Sequence, residues 1–357
     1  AGAFLQPVQL KKKIMNKKLF AVIGIAGAIT TFIIFKVRQR RLAQLKGTAA
    51  RQIFQLTGFR GDFLKAELLT AIELALKCGL AVRECDASRR EASFKDGTDG
   101  IDPVTKTDQD NEDLVTSTIQ HRFPGHAIIG EEASAASGKI VSTLGDLSHP
   151  PTWIVDPIDG TQNFVHGMPL SCVSIGLCMG GRPVLGVVYE PFRDELFLAL
   201  EGQGAYLVSL ELSTARRLFV DGVRTLQKAL VLTDPGYERS EEGVSKMTSA
   251  YATLLRERVQ ALRVIGSTVL SICWVACGRA SAFVIGFHKE GGKSWDYAAA
   301  YVIAKESGAS FTTIQTTTAE SKPATNETAT SFDIFGSSCI CAGTTSLSNQ
   351  IRSLVTR

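Results

Sequence analysis

Residues 152–167, TWIVDPIDGTQNFVHG, constrain this 357-residue chain more than any other stretch. Trp153, Ile154 and Val155 form a short β-branched and aromatic run stopped by Asp-Pro, the pattern of a buried strand whose ladder ends there. Asp156 is thereby delivered to the carboxyl edge of a sheet. Pro157 fixes the chain direction, and Gly160 permits a turn that aims Asp159 at the same spot while Thr161 opens a helix. A helix start offers unbonded N–H groups to an anion. Two carboxylates aimed at one point repel unless a cation separates them, and a hard, oxygen-rich site suits Mg²⁺. A bare pair of acids three apart is ordinarily an N-cap and a solvated first-turn acid. The full D-P-I-D-G-T string is far more specific.

Three further segments fit the same pattern. HAIIGEE (126–132) reads as a strand ending in acids, DPVTKTDQ (102–109) places Asp108 beyond a Val-Thr pair, and SWDYAAA (294–300) sets Asp296 at a helix start. Together, and in this order, the four segments resemble the signature of the inositol monophosphatase family of Mg²⁺-dependent, Li⁺-sensitive phosphatases, over roughly residues 62–357. The fold that this resemblance implies is α/β (α+β), a layered αβαβα sandwich.

The resemblance implies a metal set of Glu131, Asp156, the Ile158 carbonyl, Asp159 and Asp296, holding two or three Mg²⁺. So many acids in one cleft require metal ions, which links metal binding to local structure. It also implies catalytic roles for Asp108, Thr161 and Glu131. The Thr161 hydroxyl, held by Asp108, would take the proton of an attacking water, and the amides of Gly160 and Thr161 would hold phosphate oxygens. Lys95 matches the family's loop lysine near the metals, although two extra residues separate it from Val-Thr; otherwise it is a solvated loop lysine. His166 and Trp295 read as structural, and Glu132 should face away from Glu131 by strand alternation.

The substrate implied is an inositol monophosphate. The family's inositol-contacting glutamate, however, falls at Ile285 or Gly286 here, in a lengthened SAFVIGFHKEGGKSWD whose nearest acid is Glu290. Another small phosphate ester, a 3′(2′),5′-bisphosphate nucleotide or histidinol phosphate, is the enzymatic alternative, and a tethered scaffold without turnover is the alternative of another class. A homodimer is expected from the family.

Charge is unevenly spread. Residues 1–61 contain twelve Lys and Arg and no acid, leaving 27 basic against 35 acidic residues in the remainder. A basic arm of +12 is thus joined to a body of −8, which gives no support to a nucleic-acid partner for the body. Within the arm, Leu19 to Phe35 is an uncharged apolar run walled by Lys and Arg on both sides. As a helix it would be about 25 Å long, at the short end of a membrane span. A membrane anchor with a cytosolic body is the first reading, with an organelle-targeting segment and a secretory signal left open; orientation is undecided. Translation is expected to begin at Met15, which opens a short basic lead into the apolar run.

None of the eight cysteines forms a CxxC pair, and several stand in apolar contexts, so they are expected as small hydrophobes in a reducing compartment. Residues 63–85 predict a long amphipathic helix with Leu64, Leu68, Ile72 and Ala75 on one face. A helix near 109–122 and strands at 126–130 and 152–156 should follow, then three antiparallel β stretches within 170–200. Beyond residue 213 the expected order is strand (229–234), helices (241–259, 268–277), strand (281–286), helix (295–307) and strand (338–343). The body is accordingly read as a metal-binding α+β half, 62–213, and an α/β half, 214–357. Residues 311–332, rich in Thr, Ala and Ser, read as a surface loop carrying a sequon at Asn326.

Overall fold

The computed structural model describes residues 48–85, 90–95, 100–137, 150–211, 213–314 and 332–356. The apolar run 19–35, Met15 and Asn326 lie outside them. Among the described residues no helix is long and apolar enough to cross a membrane. The chain divides into two units, 1–52 and 53–357. The first contributes the start of helix α1 (Thr48–Thr57).

The second unit is layered. A seven-stranded sheet runs in chain order: β3 (Ala127–Gly130), β4 (Thr152–Asp159), β5 (Cys172–Met179), β6 (Arg182–Glu190), β7 (Glu195–Leu200), β8 (Gly204–Ser209) and β9 (Thr214–Arg217). Only the β3–β4 pair is parallel; the rest are antiparallel neighbours, as the three β stretches within 170–200 predict for their own segment. Helix α2 (Lys65–Glu84) packs on β5 and β6 and against α3 (Lys106–Arg122). Leu64, Leu68, Ile72 and Ala75 are all buried, and so are Ala71, Leu74, Cys78 and Val82, a stripe wider than one face. A small hairpin of β1 (Ala92–Phe94) and β2 (Pro103–Thr105) precedes α3.

A second sheet has the order β11 (Ala261–Val264), β10 (Leu230–Thr233), β12 (Ala282–Ile285), β14 (Cys339–Ala342), β13 (Ser310–Thr312). Its three inner strands, β10, β12 and β14, show period-two alternation with both faces buried. Leu232, Phe283, Ile285, Cys339 and Cys341 face a core shared with α7 (Thr268–Ala276), α8 (Ser294–Glu306) and the first sheet. Val231, Ala282, Val284, Ile340 and Ala342 face a second core with Leu254 of α6 (Glu241–Arg256) and Leu347 and Ile351 of α9 (Thr345–Val355). The order helix, sheet, helix, sheet, helix is the αβαβα sandwich. The eight cysteines are free thiols, seven of them buried.

The layer between the sheets is thin because its residues are small. Helix α8 lies on the first sheet where Gly176 of β5 faces Gly186 of β6 across the ladder. A Cβ on Gly176 would stand 2.8 Å from the Ala298 methyl, and one on Gly186 would overlap the Ala299 carbonyl. Ala298, Ala299 and Ala300 are fully buried in this contact. Glycines on the sheet and alanines on the helix therefore set how far α8, and Asp296 in its first turn, stand from the strand carrying Asp156. Gly186→Ala should force the helix outward at a cost of about 1–3 kcal/mol, read as a lowered thermal midpoint by circular dichroism.

Candidate active site

Strand β4 does not stop at Asp156. It continues through Pro157 to Asp159, which pairs with Cys172 after a shift in register. The expectation that Asp-Pro ends the ladder is thus corrected: an irregularity absorbs the proline, which lacks an N–H to donate. The irregular step matters for chemistry. A regular strand would put residues 156 and 159 on opposite faces, whereas the shifted one turns both inward. Gly160 follows at φ +86°, with no room for a side chain, because a Cβ there would meet the Leu170 carbonyl at 2.8 Å. Helix α5 (Thr161–Val165) begins immediately after it.

Asp156, Asp159 and Asp296 converge, each offering an oxygen within 4.8 Å of the others'. Each also has one oxygen tied to the protein. Asp156 Oδ1 accepts from Ile158 N at 3.0 Å, Asp296 Oδ2 from Lys293 N at 2.7 Å, and Asp159 Oδ2 from the Ser267 hydroxyl and from Val269 N at 3.2 Å. Ser267 is the N-cap of α7, its Oγ also accepting from Leu270 N. Sequence reading missed it, although a serine directly before a helical run is an N-cap signal.

Glu131 joins the group through a side-chain hydrogen bond with Asp156. Its other neighbour is Lys95, whose Nζ lies 2.6 Å from Glu131 Oε1, 3.5 Å from Glu132 and 3.6 Å from Asp102. Lys95 is therefore no solvated loop lysine. Burial alone would lower its pKa, but Glu131, Glu132 and Asp102 together raise it, so the ammonium is held charged. The contact to Glu132 corrects the expectation that this side chain faces away. The strand ends at Gly130 and helix α4 (Glu131–Ser137) begins, so strand alternation no longer governs the pair. Asp102 also accepts a hydrogen bond from Tyr237, in the DPGY turn after β10. Tyr237 is a further residue the sequence did not single out.

Asp108 is fully buried in the first turn of α3, where its Oδ2 accepts from Thr105 N at 2.9 Å and from the Thr105 hydroxyl in a capping box. The Thr161 hydroxyl lies 3.4 Å from Asp108 Oδ1 and 2.8 Å from the Ile158 carbonyl. The hydroxyl thus reaches both Asp108, the partner the sequence reading expects, and the Ile158 carbonyl, which that reading gives to the metal set instead. Glu290 pairs with Lys293 at 3.2 Å, while Ile285 lies in the core. Trp295 is buried, and His166 is exposed beyond the end of α5.

The donors are carboxylates and a carbonyl, a hard set that fits Mg²⁺. Cys172 is the nearest sulfur, 3.6 Å from Asp159 Oδ2, but burial first and Asp159 next push its thiol well up, so it stays protonated as a donor. Burial also raises Asp156 and Asp296, each with further upward pressure from the neighbouring acids. It raises Asp159 to about 7 and Asp108 to about 6.

An all-oxygen acidic centre set within an αβαβα sandwich defines a metal-dependent protein of the layered phosphatase class. The chain belongs to the inositol monophosphatase family, whose model matches residues 64–356. It is 41% identical to Inositol monophosphatase 1 of Solanum lycopersicum over 250 residues, covering 70% of this chain and 85% of that one. It is 40% identical to Inositol monophosphatase 2 of Homo sapiens over 239 residues, covering 67% and 77%. Among solved structures, the IMPase of Thermotoga maritima superposes with a TM-score of 0.63 at 26% identity, covering 81% of this chain and 96% of that one.

The raised carboxylates fix the sign of a pH effect. In the metal-free fold Asp108 and Asp159 keep protons up to about 6 and 7 and Glu132 up to about 8, whereas the unfolded chain releases them near pH 4. The stability these protonated acids contribute to the metal-free protein should therefore be fully present below about pH 4 and be lost as pH rises from there to about 8. His126, lowered by burial, opposes this, as do the lowered carboxyls of Glu73 and Glu238 at the acid end. The thermal midpoint in EDTA should fall from pH 5 to pH 8, and saturating Mg²⁺ should raise it more at pH 8 than at pH 5.

Proposed function

We propose that this chain is a Mg²⁺-dependent phosphomonoesterase that hydrolyses an inositol monophosphate to inositol and phosphate. The observation that carries the reading is the convergence of Asp156, Asp159 and Asp296 beside the Thr161–Asp108 pair. Membership of the family and the names of the relatives support the substrate. Glu131, Asp156, the Ile158 carbonyl, Asp159 and Asp296 would hold two or three ions. When bound, Mg²⁺ would acidify a water and stabilise the charge on the leaving oxygen.

The remaining work falls to the protein's own groups. Thr161, with Asp108 as acceptor for its proton, would orient the attacking water and take a proton from it. Asp108, anchored by Thr105, holds the hydroxyl in place. The amides of Gly160 and Thr161, at the turn into α5, would bind phosphate oxygens. Lys95 would hold Glu131 and limit the repulsion among the acids. Glu131, together with Thr161 and Asp108, would complete the catalytic group.

The lack of an acid at Ile285 or Gly286, where the family's ring-contacting glutamate is expected, gives a second reading its one specific support: another small phosphate ester, a 3′(2′),5′-bisphosphate nucleotide or histidinol phosphate. Glu290 is then the nearest acid in the sequence. The proposal extends to a homodimer, to a basic arm of residues 1–61 that anchors a cytosolic catalytic domain, 62–357, through 19–35, and to organelle targeting as the alternative for that arm.

Phosphate release from a panel of esters, with and without Mg²⁺, should be Mg²⁺-dependent and highest for inositol monophosphates. Thr161→Ala and Asp108→Asn should each lower kcat by about 10²–10⁴-fold, and Asp156→Asn should abolish Mg²⁺-dependent turnover. Near wild-type turnover of the Asp156 variant would overturn the site; no release from any ester would favour a scaffold.

A further inference from the structure

We propose that Glu112 is a positioning residue that caps, from a neighbouring helix, the helix start carrying Glu131. The inference rests on the reading of the acidic centre given above. Helix α4 opens at Glu131, and the residue before it, Gly130, has no side chain to accept from the free N–H groups of the first turn. Glu112, only 6% exposed, supplies that acceptor from α3. Its Oε2 accepts from Glu132 N at 2.8 Å and its Oε1 from Ala133 N at 2.7 Å.

Gly130 and Glu112 fit one another. A Cβ on Gly130 would lie on the Glu112 carboxylate, 2.6 Å from Oε2. The glycine is thus required by the approach of the acid. An ordinary Ser or Asp cap at residue 130 would expel the carboxylate that replaces it.

Glu112 stands four residues after Asp108, so both project from the same side of α3. One rigid helix therefore places two parts of the site. Through Asp108 it holds the Thr161 hydroxyl, and through Glu112 it fixes the turn from which Glu131 reaches Lys95 and Asp156. An acid that must meet a metal within tenths of an ångström needs such outer support, whose loss typically costs 10–100-fold in metal affinity or activity.

The test is Mg²⁺ binding to the full chain, followed by tryptophan fluorescence and by the Mg²⁺-induced rise in thermal midpoint. Glu112→Gln keeps one acceptor and turns an N–H₂ toward the other amide; half-saturation should require about 10- to 100-fold more Mg²⁺. KM for the phosphate ester at saturating Mg²⁺ should not change. Gly130→Ala should shift the Mg²⁺ midpoint the same way with the Glu112 charge intact, and the double variant should be no worse than the more severe single one. A midpoint within twofold of wild type in both folded single variants overturns the proposal. If neither folds, hydrogen exchange on the wild type decides: protected Glu132 and Ala133 amides are expected, and exchange at the rate of open amides overturns it. Phosphate release by the wild type is scored separately, so failure of the phosphatase reading is told apart from failure of this one.

Discussion

Mutual repulsion among buried carboxylates is the constraint on which the rest of this molecule depends. Asp156 and Asp159 come from one strand and Asp296 from a helix, and bringing them together out of water is unfavourable. The structure limits that cost by tying one oxygen of each acid to a backbone N–H and by setting a single ammonium, Lys95, among Glu131, Glu132 and Asp102. Tying one oxygen also fixes the direction of the other. A centre built this way is strained when empty and relieved by a divalent cation, so the same repulsion that opposes folding favours binding.

The layers serve this convergence. Strand β4 is buried along its whole length, so its carboxyl end cannot drift, and the irregularity at Pro157 turns Asp156 and Asp159 the same way. Helix α8 approaches the sheet closely only because Gly176 and Gly186 present no side chains to it. A larger residue at either position would move Asp296 away from its partners while leaving the sequence motif intact. Packing between small residues thus helps set the geometry of the acidic centre, although none of them belongs to it.

Much of this was legible because the motifs are local. The D-P-I-D-G-T string encodes a strand, a turn and a helix start within a few residues, and the short turns between the β stretches of 170–200 encode antiparallel neighbours directly. What escaped depends on contacts between distant segments. Ser267 looks like any N-cap until Asp159 is placed beside it. Glu132 departs from strand alternation because it lies two residues past Gly130, where a helix has taken over. Glu112 lies inside a helix with many polar residues, and nothing local marks its carboxylate as the one that turns inward. The short strands β1, β2, β9, β11 and β13 are three or four residues long and carry too little periodicity to be read alone.

The two halves of substrate recognition are built from different material. Every acid of the centre sits at the end of a strand or in the first turn of a helix, where packing fixes it. Where a ring-contacting glutamate is expected the chain has Ile285, which faces the core, and Gly286, followed by a connection bearing Glu290 and Lys293. Tyr237 enters from another turn and donates to Asp102, within the Lys95 cluster. Loops tolerate insertion far better than strand ends do. The acids are therefore bound to the fold by strand and helix packing, whereas Glu290 and Tyr237 stand in connections, the first of which is itself held by Phe287 against the second core and by Gly291 and Gly292 against Ser337 and Tyr297.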